Sequence, residues 1–147
     1  MRKGKEMSTE RATALEIVKD VYSRFAEGDL KGFLALCSDD IEWVVNGPAT
    51  LEKCQAFKGH KGVQNFLNIL GDSWEFSTFT PQQFIATEQT VVVLGEETGV
   101  DKQSNLKFEN RWSHVFDVRD GQIIRFREFI CHWTGEQKPP IMSWTSI

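Results

Sequence analysis

The chain has little that would staple a fold or hold a metal. Its three cysteines, Cys37, Cys54 and Cys131, are odd in number, widely spaced and without a Cys-x-x-Cys pair. That excludes a disulfide framework and a zinc site, and reduced thiols in a cytoplasmic protein are the simplest account. The three histidines, His60, His114 and His132, show no metal-ligand spacing, so neither metal nor cofactor is expected. No apolar run is long enough to span a membrane. No apolar segment follows the basic N-terminus, so a secretory signal is not expected. Basic residues are not in excess: 17 Lys and Arg stand against 21 Asp and Glu, a net charge of −4. The one basic cluster, Arg2-Lys3-Lys5, is terminal, which argues against nucleic-acid binding. Tyrosine occurs once, at Tyr22, beside eleven Phe and five Trp.

What is present is ordinary globular material of 147 residues, 40% hydrophobic and 26% charged. This is one domain, large enough to fold on its own core. The reading places that domain at residues 9–133, with a tail at 1–8 and an extension at 134–147. Ser8 or Thr9 can cap a first helix over residues 11–26, with Leu15, Val18, Tyr22 and Phe25 on one stripe. Gly28 stops it, and Asp29 caps a short second helix carrying Leu30, Phe33, Leu34 and Leu36. After the acidic pair Asp39-Asp40, residues 41–45 read as a strand ended by Asn46-Gly47-Pro48. Residues 49–58 carry no clear period. Val63, Phe66, Leu67 and Leu70 mark a third helix closed by Gly71. Four strands follow, over residues 74–86, 90–98, 107–118 and 122–133, with Asp120-Gly121 as a hairpin turn. Helices first and a strand meander after them define an α+β fold. Ile141, Met142 and Trp144, beyond Pro139-Pro140, are expected to dock on the body or on a partner chain.

Several pieces carry a family resemblance in their order and spacing. They are the Gly28-Asp29-Leu30 break, the Asp39-Asp40 turn and Phe57-Lys58-Gly59 with Gly62. His114-Val115-Phe116 running into Asp120-Gly121, and Arg125-Phe126-Arg127-Glu128-Phe129, complete the set. Over residues 17–132 the chain resembles the SnoaL-like, ketosteroid-isomerase-like branch of the nuclear transport factor 2-like superfamily. The resemblance implies a cone-shaped, curved antiparallel or mixed sheet of about six strands wrapped around three helices. It also implies a pocket between the layers and a homodimer through the outer sheet face. The family's acid–base sets transfer incompletely. Ketosteroid isomerases use an aspartate near the end of the first strand, where this chain has Trp43-Val44-Val45-Asn46. Tyr22 lies one residue from their tyrosine position, and their second aspartate falls at His114 or Ser113. The aspartate of SnoaL-type cyclases and epoxide hydrolases falls at Cys131. A second carboxylate of the epoxide hydrolases survives at Glu97, without its arginine. Steroid isomerase activity is not expected.

The polar candidates that remain are His114, Tyr22 and Glu97. Strand alternation puts Trp112, His114, Phe116 and Val118 on one inward face. There His114 is either a general base or a core histidine bonded to a carbonyl. Tyr22 can offer its hydroxyl to a ligand carbonyl or to the main chain. Cys131 opposite His114 reads as a thiol–imidazole pair or as a small hydrophobe. Trp43, Trp74, Trp112, Phe116, Phe25 and Cys131 are the expected pocket walls. Arg125, Arg127 and Glu128 are assigned to the sheet surface or dimer face. The function expected is binding of a small, flat, apolar molecule. The alternative is an isomerase, polyketide cyclase or hydratase/epoxide hydrolase using His114 as acid/base, and a weaker one is a scaffold with a self-filled interior.

Overall fold

The computed structural model describes residues 12–135. The expected caps Ser8 and Thr9, the basic cluster Arg2-Lys3-Lys5 and the docking residues Ile141, Met142 and Trp144 lie outside them. Helix α1 runs Ala14–Glu27, starting later than expected because Thr13 and Glu16 form a capping box. The Thr13 hydroxyl accepts from the Glu16 amide at 3.1 Å, and the Glu16 carboxylate accepts from the Thr13 amide at 2.9 Å. Gly28 ends α1 at a φ of 70°, a left-handed turn that glycine takes without penalty. Asp29 caps α2 (Leu30–Ala35) through the Gly32 amide and also binds Arg24, tying the two helices together.

Strands β1 (Cys37–Asn46) and β2 (Ala56–Lys58) flank loop 47–55, and α3 (Gly59–Ser73) follows. The expected Asp39-Asp40 turn is an interruption inside β1, between the pairings of Cys37 and Glu42. Gly71 does not close α3, which continues to Ser73. The long strands are β3 (Trp74–Ala86), β4 (Thr90–Asp101), β5 (Lys107–Arg119) and β6 (Gln122–Thr134). Asp120 and Gly121 both take positive φ, 52° and 79°, as a tight hairpin requires.

The sheet order is β2-β1-β6-β5-β4-β3. Only β1 and β6 pair in parallel, so the sheet is mixed; it is curved and unclosed. Pro81 is tolerated because β3 is an edge strand with a register shift at that point. The inner face alternates cleanly: Val91, Val93 and Glu97 on β4, Trp112, His114 and Phe116 on β5, Phe126, Glu128 and Ile130 on β6. The helices cover it with Ile17, Val18 and Val21 from α1, Phe33 from α2, and Val63, Phe66 and Leu70 from α3.

Gly95 has no room for a side chain, since a Cβ there would lie 2.3 Å from the Trp112 ring and 2.8 Å from the Thr80 carbonyl. Gly95→Ala is therefore expected to cost about 1–3 kcal/mol in urea unfolding. Gly71→Ala is the counterpart: its Cβ meets nothing within 4 Å inside a helix, and a gain of about 0.5–1 kcal/mol is expected.

Candidate functional site

The inner face of the sheet carries three charged or ionisable groups on neighbouring strands, and a loop adds a fourth. His114, Glu128, Glu97 and Lys53 are 5%, 3%, 2% and 5% exposed. Register pairs His114 with Glu128 across β5 and β6, and His114 Nε2 lies 3.0 Å from Glu128 Oε2. His114 Nδ1 lies 2.6 Å from the Tyr22 hydroxyl on α1. An ionised carboxylate accepts only, so Nε2 carries the proton and Nδ1 accepts from the phenol. The result is a chain from helix to sheet: Tyr22 donates to His114, and His114 donates to Glu128. The histidine is further clamped by Trp112, stacked on it at 3.9 Å, and by Phe126 at 4.8 Å.

Lys53 enters from loop 47–55, which presses on β6: a Cβ on Gly47 would meet Ile130 at 2.4 Å and Cys54 at 2.9 Å. Its ammonium sits 3.8 Å from Glu128 Oε1 and 4.0 Å above the Trp74 ring. Glu97 is held from the other side: Asn110 Nδ2 donates to its Oε2 at 2.7 Å, and Asn110 Oδ1 accepts from His132 Nδ1 at 2.7 Å.

Burial sets the protonation states. It pushes His114 below its ordinary value, against the pull of Glu128, so the ring is neutral. Burial alone would raise Glu128, but the Lys53 charge and the His114 contact more than reverse this and keep it ionised. Glu97 is raised to about 7, mainly by burial, because Lys53 offsets only part of that cost. Tyr22 is raised well above its ordinary range by burial and by the Glu128 charge, so it is a neutral phenol. The two carboxylates are thus driven apart in acidity, which is the arrangement acid–base chemistry uses.

These groups line one small cavity of about 50 Å³. Its apolar walls include Phe25, Trp43, Phe66, Phe79, Phe116 and Phe126. Of the expected wall residues, Phe25, Trp43 and Phe116 line it. Trp112 backs it through His114, and Trp74 backs it through Lys53. Cys131 is a correction: it is exposed on the outer face, because register pairs it with Arg111 while Glu128 and Ile130 take the inward positions. A thiol–imidazole pair with His114 is ruled out by the same parity. Glu128 is the second correction. Read as a surface residue beside Arg125 and Arg127, it is buried against His114 and Lys53. Its signal was available in Phe126 and Ile130, two residues away on either side. Lys53 had no such signal, since its loop has no period. Among the described residues no cluster of three metal-ligating side chains occurs, and no helix is long and apolar enough to cross a membrane.

The chain belongs to the SnoaL-like domain family, whose model matches residues 18–126. An NTF2-like protein from Burkholderia xenovorans LB400 is 32% identical, covering 82% of this chain and 92% of that one, with a TM-score of 0.74. An NTF2-like protein from Burkholderia thailandensis E264 is 26% identical over the same shares, also with a TM-score of 0.74. TerC, crystallised with polyporic acid, shares the fold at 24% identity over 78% of this chain and 88% of its own, with a TM-score of 0.69. No curated protein matches the chain.

Glu97 imposes a pH-dependent penalty on the fold. Its folded value, about 7, lies above the ordinary 4.5, so between them the folded chain holds a proton that the unfolded chain has lost. This contribution weakens the fold as pH rises through that window and is constant above it. Glu97→Gln removes it, so the variant's stability relative to the natural chain should climb between about pH 5 and 7.5 in urea titrations. A difference independent of pH would show that Glu97 ionises as an ordinary carboxylate.

Proposed function

We propose that the protein binds a small, mostly apolar, flat molecule between the helices and the sheet. The observation that carries this reading is the asymmetry of the cavity: its walls are aromatic and aliphatic, while Tyr22, Lys53, Glu97, His114 and Glu128 all reach its lining. Apolar walls with a few convergent polar groups are the usual composition of a ligand site. The cavity is smaller than such a ligand, but it shares Phe25, Phe33, Leu67, Leu70 and Phe76 with an outer cleft of about 310 Å³. Moving those side chains joins the two spaces. TerC, the fold neighbour crystallised with polyporic acid, is an instance of this fold crystallised with a small molecule.

A second reading is an acid–base enzyme of isomerase, cyclase or hydratase type. The Tyr22–His114–Glu128 chain favours it, since a carboxylate fixes the tautomer of a histidine whose other nitrogen faces a phenol. In the resting arrangement the Tyr22 hydrogen is committed to His114, so the phenol offers lone pairs rather than its proton to a ligand. Either reading takes the protein as a cytoplasmic homodimer through the outer sheet face. The free thiols of Cys37, Cys54 and Cys131 and the exposed Phe129 on that face support it.

Indole titrated into the protein should shift the NMR signals of Trp43 and Tyr22 and of their neighbours. Millimolar indole that leaves the cavity residues unmoved would remove the binding reading. For the enzyme reading, His114→Ala should lower turnover of any substrate found by about 10²–10⁴-fold. Full turnover in that variant would assign His114 to structure alone. Light scattering that reports a monomer at high concentration would remove the dimer.

A further inference from the structure

The cavity carries hydrogen-bond donors that the protein leaves unspent. Lys53 Nζ has Glu128 Oε1 as its nearest carboxylate oxygen, at 3.8 Å, beyond hydrogen-bond reach. Among the described residues no acceptor lies within hydrogen-bonding distance of it. Trp43, whose ring lines the same cavity, has an Nε1 with no partner. The carboxylates nearby face other donors: Glu128 Oε2 receives His114, and Glu97 Oε2 receives Asn110. Lys53 lines both this cavity and an outer cleft beside Asp72 and Asp101, and an ammonium held only by a 3.8 Å ion pair and a ring face is placed to meet an acceptor brought from outside.

We propose that Lys53 is the docking point for an oxygen anion, a carboxylate, enolate or phenolate, carried by a flat aromatic ligand. The proposal rests on the pocket reading above and names the class of ligand. The aromatic walls take the ring, and the ammonium takes the charged oxygen, with Trp43 Nε1 as a second donor. An organic cation fits less well, because it would have to expel Lys53 from between Glu128 and the Trp74 face.

The charges of the cluster give the proposal a second signature. Glu97 is faced by Lys53 from loop 47–55, by Glu128 from β6, and by Asn110 and Trp112 from β5, with His132 of β6 bonded to Asn110 behind it. His114, in the same cavity, is neutral and adds no charge. A further negative charge beside Lys53 makes ionised Glu97 less favourable, and Glu97 already releases its proton only near neutrality. Binding at about pH 7.5 therefore takes up a proton at Glu97. His132 is pushed toward its neutral form by burial and by Lys53, and drawing off the Lys53 charge moves it the other way. Glu97→Gln separates the two contributions.

The test uses benzoate as the anionic probe and benzyl alcohol as its neutral counterpart, by calorimetry on the full chain at about pH 7.5. Benzoate should bind roughly tenfold or more tightly than benzyl alcohol, the worth of one charge-assisted hydrogen bond. Lys53→Met should erase that preference. In buffers of different ionisation heat, benzoate binding should take up protons, and Glu97→Gln should reduce the uptake. Benzyl alcohol binding without a benzoate preference would overturn the proposal and leave the pocket reading standing. A preference that survives Lys53→Met would also overturn it. If neither probe binds, both readings fall. Should Lys53→Met fail to fold, the benzoate preference and the loss of proton uptake in Glu97→Gln decide the matter.

Discussion

A carboxylate buried to 3% exposure has to be given partners, and the structure meets that demand for Glu128 from three directions. β5 supplies His114, loop 47–55 supplies Lys53, and α1 reaches it through Tyr22 and the imidazole. One ionised group on the central part of the sheet thereby fixes the rotation of the first helix, the tautomer of a histidine and the seat of an irregular loop. Asn46, at the end of β1, donates to the Glu128 carbonyl at 3.1 Å and adds the neighbouring strand to the set. Replacing the acid by an apolar residue would leave Lys53 buried without a counter-charge, which costs more than the pair itself is worth.

The acids that the resemblance implies and this chain's acids coincide only at Glu97. In the resemblance, the first-strand aspartate of the ketosteroid isomerases falls in the stretch Trp43-Val44-Val45-Asn46 and the cyclase aspartate at Cys131, and neither supplies a carboxylate. The interior instead takes its two carboxylates from Glu97 and Glu128, whose environments push them in opposite directions. Glu97 is desolvated with one amide donor, and Glu128 has a cation and an imidazole. The fold is shared with a protein only 24% identical, while the polar lining is set by a handful of side chains.

Most of the fold was legible because it is written in local chemistry. Gly28 and Asp29 end one helix and start another for conformational reasons that need no tertiary context. Asp120-Gly121 fixes a hairpin, and from it the parity of β5 follows, with Trp112, His114 and Phe116 facing in. The candidate site was half legible for a related reason. His114 shares its face with aromatics, so its burial could be read from alternation. Glu128 follows the same rule, but its flanking arginines and the apolar Phe129, which is 48% exposed, point the other way. Lys53 could not be read at all: its burial depends on a loop pressing on β6, a contact between residues some eighty positions apart in the chain.

The parallel pairing of β1 with β6 has a consequence for how the chain comes together. Those two strands are separated in sequence by α3 and three long strands, yet they lie side by side in the sheet. A chain emerging from the ribosome can form its helices and the β3–β4–β5 meander early, from contacts between sequence neighbours. β1 has only the three-residue β2 to pair with until residues near 125 appear. For most of synthesis, then, its Trp43 and Val45 wait without the strand that covers them, and closure of the core is a late, long-range event.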